Sequence, residues 1–343
     1  MREARAPRAI TGVLLVVSVV LATACGESRG PTTRVTMPPG STMRIAAESL
    51  SRRGVIGSTR LFRVYAAITR RDRAIKAGTY LLHRHERWGA VLDALHGGKG
   101  LMRVITIPEG FSLVQIEPLL AVRLHQPMDS VDAAVRDSSL LRELDLPTPT
   151  LEGYLFPDTY FFPDGTSARA AVTTMVRQFE QVWKPEWTAR VDTMHLTRND
   201  VMTMASIVEK EAKLPEERPV IAAVYYNRIR AGMLLQADPT VQYALGKHVA
   251  RLFYKDLDVE SPYNTYRNKG LPPGPIASPG RPSIIAALYP ANVPYEYFVA
   301  LPDGHHEFRA NLREHDRAKA LARRAWDSVA VLRRTDSAKK NRD

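Results

Sequence analysis

Cysteine is nearly absent from this chain: Cys25 is the only one in 343 residues. No internal disulfide is possible, and a metal site built on several thiolates is excluded. A membrane-spanning helix needs about 20 apolar residues, and the early apolar run, Ile10 to Ala24, is shorter. Zinc-finger spacing, an Arg/Lys-rich recognition helix and aromatic strands of the RNA-binding kind are all missing, which argues against nucleic acid as a partner. Acidic residues are in deficit, 36 against 48 Lys and Arg, for a net charge of +12. With nucleic acid set aside, that balance suits anionic lipid or an anionic wall polymer. Apolar residues (45%) and charged residues (24%) stand at levels usual for folded domains, so general disorder is excluded.

What is present begins with an address. Arg2, Arg5 and Arg8 precede the apolar run, as the basic and apolar regions of an export signal do. The run ends Ala22-Thr-Ala-Cys-Gly26, and small residues before a cysteine resemble the lipobox of bacterial lipoproteins. Leu21, however, stands four places before Cys25 where the lipobox has its leucine at three. A lipidated Cys25 and a retained single-pass helix are the two forms of anchor, and either leaves the bulk of the chain outside. Residues 1–25 are the expected signal or anchor and 26–33 a polar linker.

The expected fold class is α+β. Val35-Thr-Met-Pro-Pro-Gly40 and Ile105-Thr-Ile-Pro-Glu-Gly110 echo one another: a short β-branched strand, a Pro-x-Gly turn, a Ser cap, then an amphipathic helix. Between them, Lys76 to Leu82 predicts a strand, and Trp88 to Leu95 a helix stopped at Gly97-Gly98. Residues 34–145 hold this small module and a connecting segment, 146–332 a helix-rich domain with long loops, and 333–343 a polar tail. Long loops rich in aromatics, Asn, Gly and Pro are where binding and catalysis concentrate.

Thr197, with Asp200 three residues on, opens a helix in that second region. At ~100° per residue, Val201, Met204, Ile207 and Val208 share a face that Glu211 continues, while Glu209 and Lys210 turn towards solvent. A carboxyl on the buried side is disfavoured as an anion, so its pKa rises. An acid still protonated near neutral pH is what glycosidic bond cleavage requires. The structural alternative is a Glu211 that snorkels outward or pairs with Lys213 or Arg218. Downstream, amides and tyrosines suited to sugars follow. Gln236, Tyr263 and Asn264 are the candidates for substrate binding, although helix or turn capping is the commoner use of residues such as Asn264 and Asn227. Tyr225, Tyr295 and Tyr297 read as core, and Glu152, in an aromatic-rich turn, as structural. Asp238 is the other carboxylate near these motifs.

The segments Leu151-Glu-Gly-Tyr-Leu-Phe-Pro-Asp-Thr-Tyr160, Ala205-Ser-Ile-Val-Glu-Lys-Glu211, Leu235-Gln-Ala-Asp-Pro-Thr240, Tyr263-Asn-Thr-Tyr266, Gly270-Leu-Pro-Pro-Gly274 and Pro294-Tyr-Glu-Tyr-Phe-Val299 resemble the endolytic murein transglycosylase family, in the family's order. The resemblance implies a LysM-like subdomain on the amino side, an inner-membrane anchor and a periplasmic catalytic domain. It also implies cleavage within nascent glycan strands, with peptidoglycan and its synthases as partners. Glu211 matches the family's catalytic glutamate, the second Glu of the Val-Glu-Lys-Glu segment. No cofactor and no metal are expected. Two rivals stand beside this reading: a two-carboxylate peptidoglycan hydrolase using Glu152 or Asp238, and a non-catalytic wall-binding scaffold. A metal site on His305, His306 and His315 is a distant third, because adjacent histidines in a Gly-containing loop are expected to be exposed.

Overall fold

Alternation along β1 (Thr32–Met37) turns Val35 and Met37 inward and leaves Arg34 and Thr36 exposed. The computed structural model describes residues 30–73, 75–98, 100–246 and 252–340. After the turn at Pro38, the side chain of Thr42 caps α1 (Met43–Arg52) by accepting from the Ile45 amide at 3.4 Å. Ser41, the expected cap, instead donates to the Pro38 carbonyl. Thr42 is the residue that the internal echo aligns with Ser112. Next come α2 (Thr59–Ile68), β2 (Gly78–His83) and α3 (Trp88–Gly97), and then β3 (Leu101–Thr106). Gly98, at φ 79°, ends α3 in the left-handed region that glycine enters at no steric cost. The sheet order is β1-β2-β3-β4, with β4 (Thr159–Pro163) arriving from later in the chain, and β2 runs antiparallel to both β1 and β3. Trp88 anchors the core, edge-on to Phe62 and Tyr65 at 5.8 and 5.7 Å. The described residues up to Ile105 together with Tyr160–Thr166 form this first compact unit.

Thr106–Thr159 and the chain from Ser167 onward form the second unit. Its helices are α4 (Leu113–Leu124), α5 (Met128–Val135), α6 (Ser138–Glu143), α7 (Ala168–Val182), α8 (Pro185–Thr193), α9 (Arg198–Glu211), α10 (Arg218–Arg230), α11 (Asp238–Ala244) and α12 (Arg281–Leu288). A hairpin of β5 (Tyr297–Ala300) and β6 (His306–Arg309) leads into α13 (Leu312–Lys340). The architecture is α+β, as expected.

The predicted capping box opens α9: the Thr197 amide donates to Asp200 Oδ2 at 2.8 Å, and the Asp200 amide to Thr197 Oγ1 at 3.0 Å. The helix is nevertheless not one-faced, since Val201 to Val208 are buried all round and α10 and α12 pack against it. Its small polar residues tolerate this burial because their hydroxyls are satisfied. Thr203 donates to the Asn199 carbonyl, and Ser206 donates to the Thr203 carbonyl while accepting from the Ile276 amide. No helix among the described residues is long and apolar enough to cross a membrane. Arg2, Arg5, Arg8 and Cys25, on which the anchor reading rests, lie outside the described residues.

Candidate active site

Glu211 is the last residue of α9, and the Ala212 amide closes the helix on Val208. The carbonyl end of a helix disfavours an added anion. The side chain lines a cleft of about 490 Å³ whose walls come from α10, the 235–238 turn, Tyr266, the β5–β6 hairpin and α13. Tyr225 is buried in α10, and its hydroxyl donates to Glu211 Oε1 at 2.7 Å. Phe298 fixes that ring edge-on at 5.7 Å. One helical turn further, Arg228 donates from Nε to the Glu296 carbonyl and from Nη1 to the Leu235 carbonyl, both at 2.6 Å. Asp238 opens α11, where its Oδ1 accepts from the Tyr266 hydroxyl at 2.6 Å.

The turn before Asp238 is strained. Gln236 holds φ 52°, a left-handed conformation unusual for a side chain with a Cβ. It is kept there by backbone bonding to Thr265 and by a buried pair of hydroxyls, Thr240 and Thr265, 2.8 Å apart. Burial raises the Glu211 pKa to about 7; the Tyr225 hydrogen bond opposes the rise, the Asp238 charge adds to it and the Arg228 charge opposes it. The arrangement therefore presents a carboxyl that is substantially protonated at neutral pH and open to a ligand.

The YceG-like family matches residues 35–321 of this chain. The chain belongs to that family. The endolytic murein transglycosylase of Bacillus subtilis (strain 168) is 36% identical over 307 residues, covering 84% of each chain. That of Streptococcus pneumoniae serotype 2 is 30% identical over 315 residues, which cover 82% of this chain and 57% of the pneumococcal one. Among solved structures, a YceG-like protein of Listeria monocytogenes superposes with a TM-score of 0.61 at 33% identity, over 83% of this chain and 98% of the other.

In this YceG-like chain the candidate residues divide. Glu211 and Gln236 line one cleft. Asn264 does not; it is fully buried and donates to the carbonyls of Leu257 and Val259, while its side-chain oxygen accepts from the Tyr266 amide. It shapes the loop that delivers Tyr266. Tyr263 is not among the residues lining the cleft either; its ring packs against Tyr243 at 4.8 Å. Tyr243 in turn bonds Glu152, whose two oxygens take the Leu113 amide at the start of α4, at 3.2 and 3.0 Å. Burial raises the Glu152 pKa to about 7 as well.

Three expectations need correction. The Glu209 side chain, expected in solvent, is 8% exposed and ion-paired with Arg218 at 3.6 Å. Its Oε2 accepts from the Gly280 amide and the Ser283 hydroxyl, because the start of α12 occupies the side that helical periodicity leaves open. Tyr225 is not only a core ring. His306 is not exposed: its side chain is 4% exposed and Nδ1 lies 2.7 Å from Glu217 Oε2. Tyr225, Arg228 and Tyr266 are the site residues that sequence reasoning missed. A signal existed for Arg228, which lies one turn beyond Tyr225 on the same face of α10. For Tyr266 the signal was its place in the Tyr263-Asn-Thr-Tyr266 segment, while its position in the cleft depends on the fold of the 257–266 loop.

Proposed function

We propose that this chain is a lyase, a lytic transglycosylase of peptidoglycan, with Glu211 as its single acid and base. The supporting observation is a carboxyl of pKa about 7 lining an open cleft, in a chain whose relatives are named endolytic murein transglycosylases. Glu211 donates its proton to the oxygen joining N-acetylmuramic acid to N-acetylglucosamine, and the bond from the muramic C1 to that oxygen breaks. The muramic C6 hydroxyl oxygen then bonds to C1 and gives its proton to the Glu211 carboxylate. The acid is restored, no water is consumed and a 1,6-anhydro end results. Tyr225 holds one carboxyl oxygen in place. Asp238, oriented by Tyr266, favours protonated Glu211 and stabilises the positive charge that develops at the ring. Gln236 supplies donors and an acceptor for sugar hydroxyls.

Acting inside nascent strands, such an enzyme terminates glycan elongation beside the synthases, held at the inner membrane by residues 1–25 with its catalytic domain outside. Asp238 in the same cleft supports a second reading, a hydrolase in which Asp238 activates water. Mass spectrometry of digested peptidoglycan separates the two. Anhydro-muropeptides, lighter than the hydrolytic products by one water, are expected; hydrated reducing ends alone would overturn the lyase reading.

A further inference from the structure

Arg228 is 9% exposed yet takes part in no ion pair among the described residues. Burying a guanidinium with no carboxylate in contact is unfavourable, and Glu211 and Asp238, which line the same cleft, form no ion pair with it. Its contact with the Tyr297 ring, 5.3 Å away, offsets only part of that. The Nε and Nη1 edges are bound to the Glu296, Leu235 and Leu234 carbonyls, which fix the plane of the group. Nη2 has no hydrogen-bond partner among the described residues and is not a fully buried atom, and Arg228 lines the cleft that Glu211 lines. Tying the 234–235 turn to Glu296 requires only the bound edges. The free edge is a preset donor pair, in the geometry that suits a carboxylate or carbonyl oxygen.

We propose that Arg228 selects muramic acid in this cleft, with Nη2 donating to the acyl oxygen of its lactyl group. The inference rests on the peptidoglycan reading. In that reading the muramic ring lies against Glu211, so its lactyl substituent falls within the same cleft. Hydroxyls and the N-acetyl group are common to both sugars of the polymer; the lactyl group alone distinguishes muramic acid. It offers a carboxylate when bare and an amide carbonyl when it carries a peptide. Lys319 also lines the cleft, but it is exposed and has no fixed plane.

The test uses the full chain carrying Glu211→Gln, which binds without cleaving, and isothermal titration with three tetrasaccharides. One has free lactyl carboxylates, one has lactyl amides, and one is chitotetraose, which has no lactyl groups. Both lactyl ligands are expected to bind about ten- to hundredfold more tightly than chitotetraose. A tighter free acid would identify the carboxylate as the preferred form, and equal binding of the two the carbonyl oxygen they share. Adding Arg228→Lys or Arg228→Gln should erase the preference while chitotetraose still binds, and adding Lys319→Gln should leave it. Should Arg228→Gln not fold, Arg228→Lys and the ligand series on the intact cleft still decide. Equal affinity for all three ligands, or a preference that survives Arg228→Lys, overturns the role of Arg228 and leaves the glycan reading standing. Failure of all three ligands to bind overturns both.

Discussion

Glu152 and Glu211 are both raised by burial to a pKa of about 7, and they occupy unlike places. Glu152 stands before α4, 3% exposed, with its oxygens taken by the Leu113 amide and the Tyr243 hydroxyl. Glu211 stands at the opposite kind of helix end, with Oε1 held by Tyr225 and the residue lining an open cleft. At Glu152 a helix N-terminus favours the anion, and desolvation still prevails. A raised pKa thus measures how poorly water reaches a carboxylate; chemistry requires in addition that a substrate can reach it. Glu209, two residues before Glu211, is a third case. Arg218, the Gly280 amide and the Ser283 hydroxyl all meet its carboxylate, so it is bound by the protein, and it is not among the residues lining the cleft.

Replacing each acid by Gln breaks the comparison most sharply. Glu211→Gln is expected to lower anhydro-muropeptide release by about 10³–10⁴-fold, since one group serves as both acid and base, with an unchanged circular dichroism spectrum. Glu152→Gln should keep most of the activity. The reverse outcome would move the chemistry to Glu152. Glu209→Gln is expected to act on the fold instead. Leaving Arg218 without its partner should lower stability by about 1–3 kcal/mol, read from the urea midpoint, with activity kept below the transition.

Tyr225→Phe sharpens the role of the hydrogen bond. A roughly tenfold fall in kcat is expected, the scale of one lost bond to a charged group. The pH profile should move too. Wild-type kcat/KM is expected to decline as pH rises through about 7, where Glu211 loses its proton. Removing a donor that favours the carboxylate should shift that decline to higher pH; an unmoved limb would mean that Tyr225 only packs.

A last effect concerns the pH dependence of stability. Both carboxyls titrate above their ordinary value of 4.5 in the folded chain. Their contribution is therefore complete below about pH 4.5 and is lost as pH rises through about 7, by at most about 1.4 kcal/mol per pH unit for each group. Glu152→Gln should flatten the urea-measured dependence across that window without abolishing activity. An unchanged slope would show that Glu152 stays hydrated in the folded chain.

Features set by near neighbours in the chain were legible without the fold. Thr197 with Asp200, Gly98 after α3, and the strand–turn–helix echo each depend on residues within a few positions. Features made by distant partners were not. The donor that removes Glu209 from solvent is 71 positions away, and the carbonyls that occupy the Asn264 amide belong to its own irregular loop. Periodicity gives the angle at which a side chain leaves a helix, and not what stands opposite.

The sequence by itself determined the α+β class and the start of α9. It also placed Glu211 at the end of α9, three and four positions after Val208 and Ile207, whereas its raised pKa comes from the elements packed around it. Only the tertiary structure decided that Glu211 opens on a cleft while Glu152 is closed off and Glu209 is bound. Local rules act through backbone geometry over one or two turns, whereas access is set by Tyr225, Tyr266, Phe298 and Lys319, carried in on separate elements by the packing of the whole second unit.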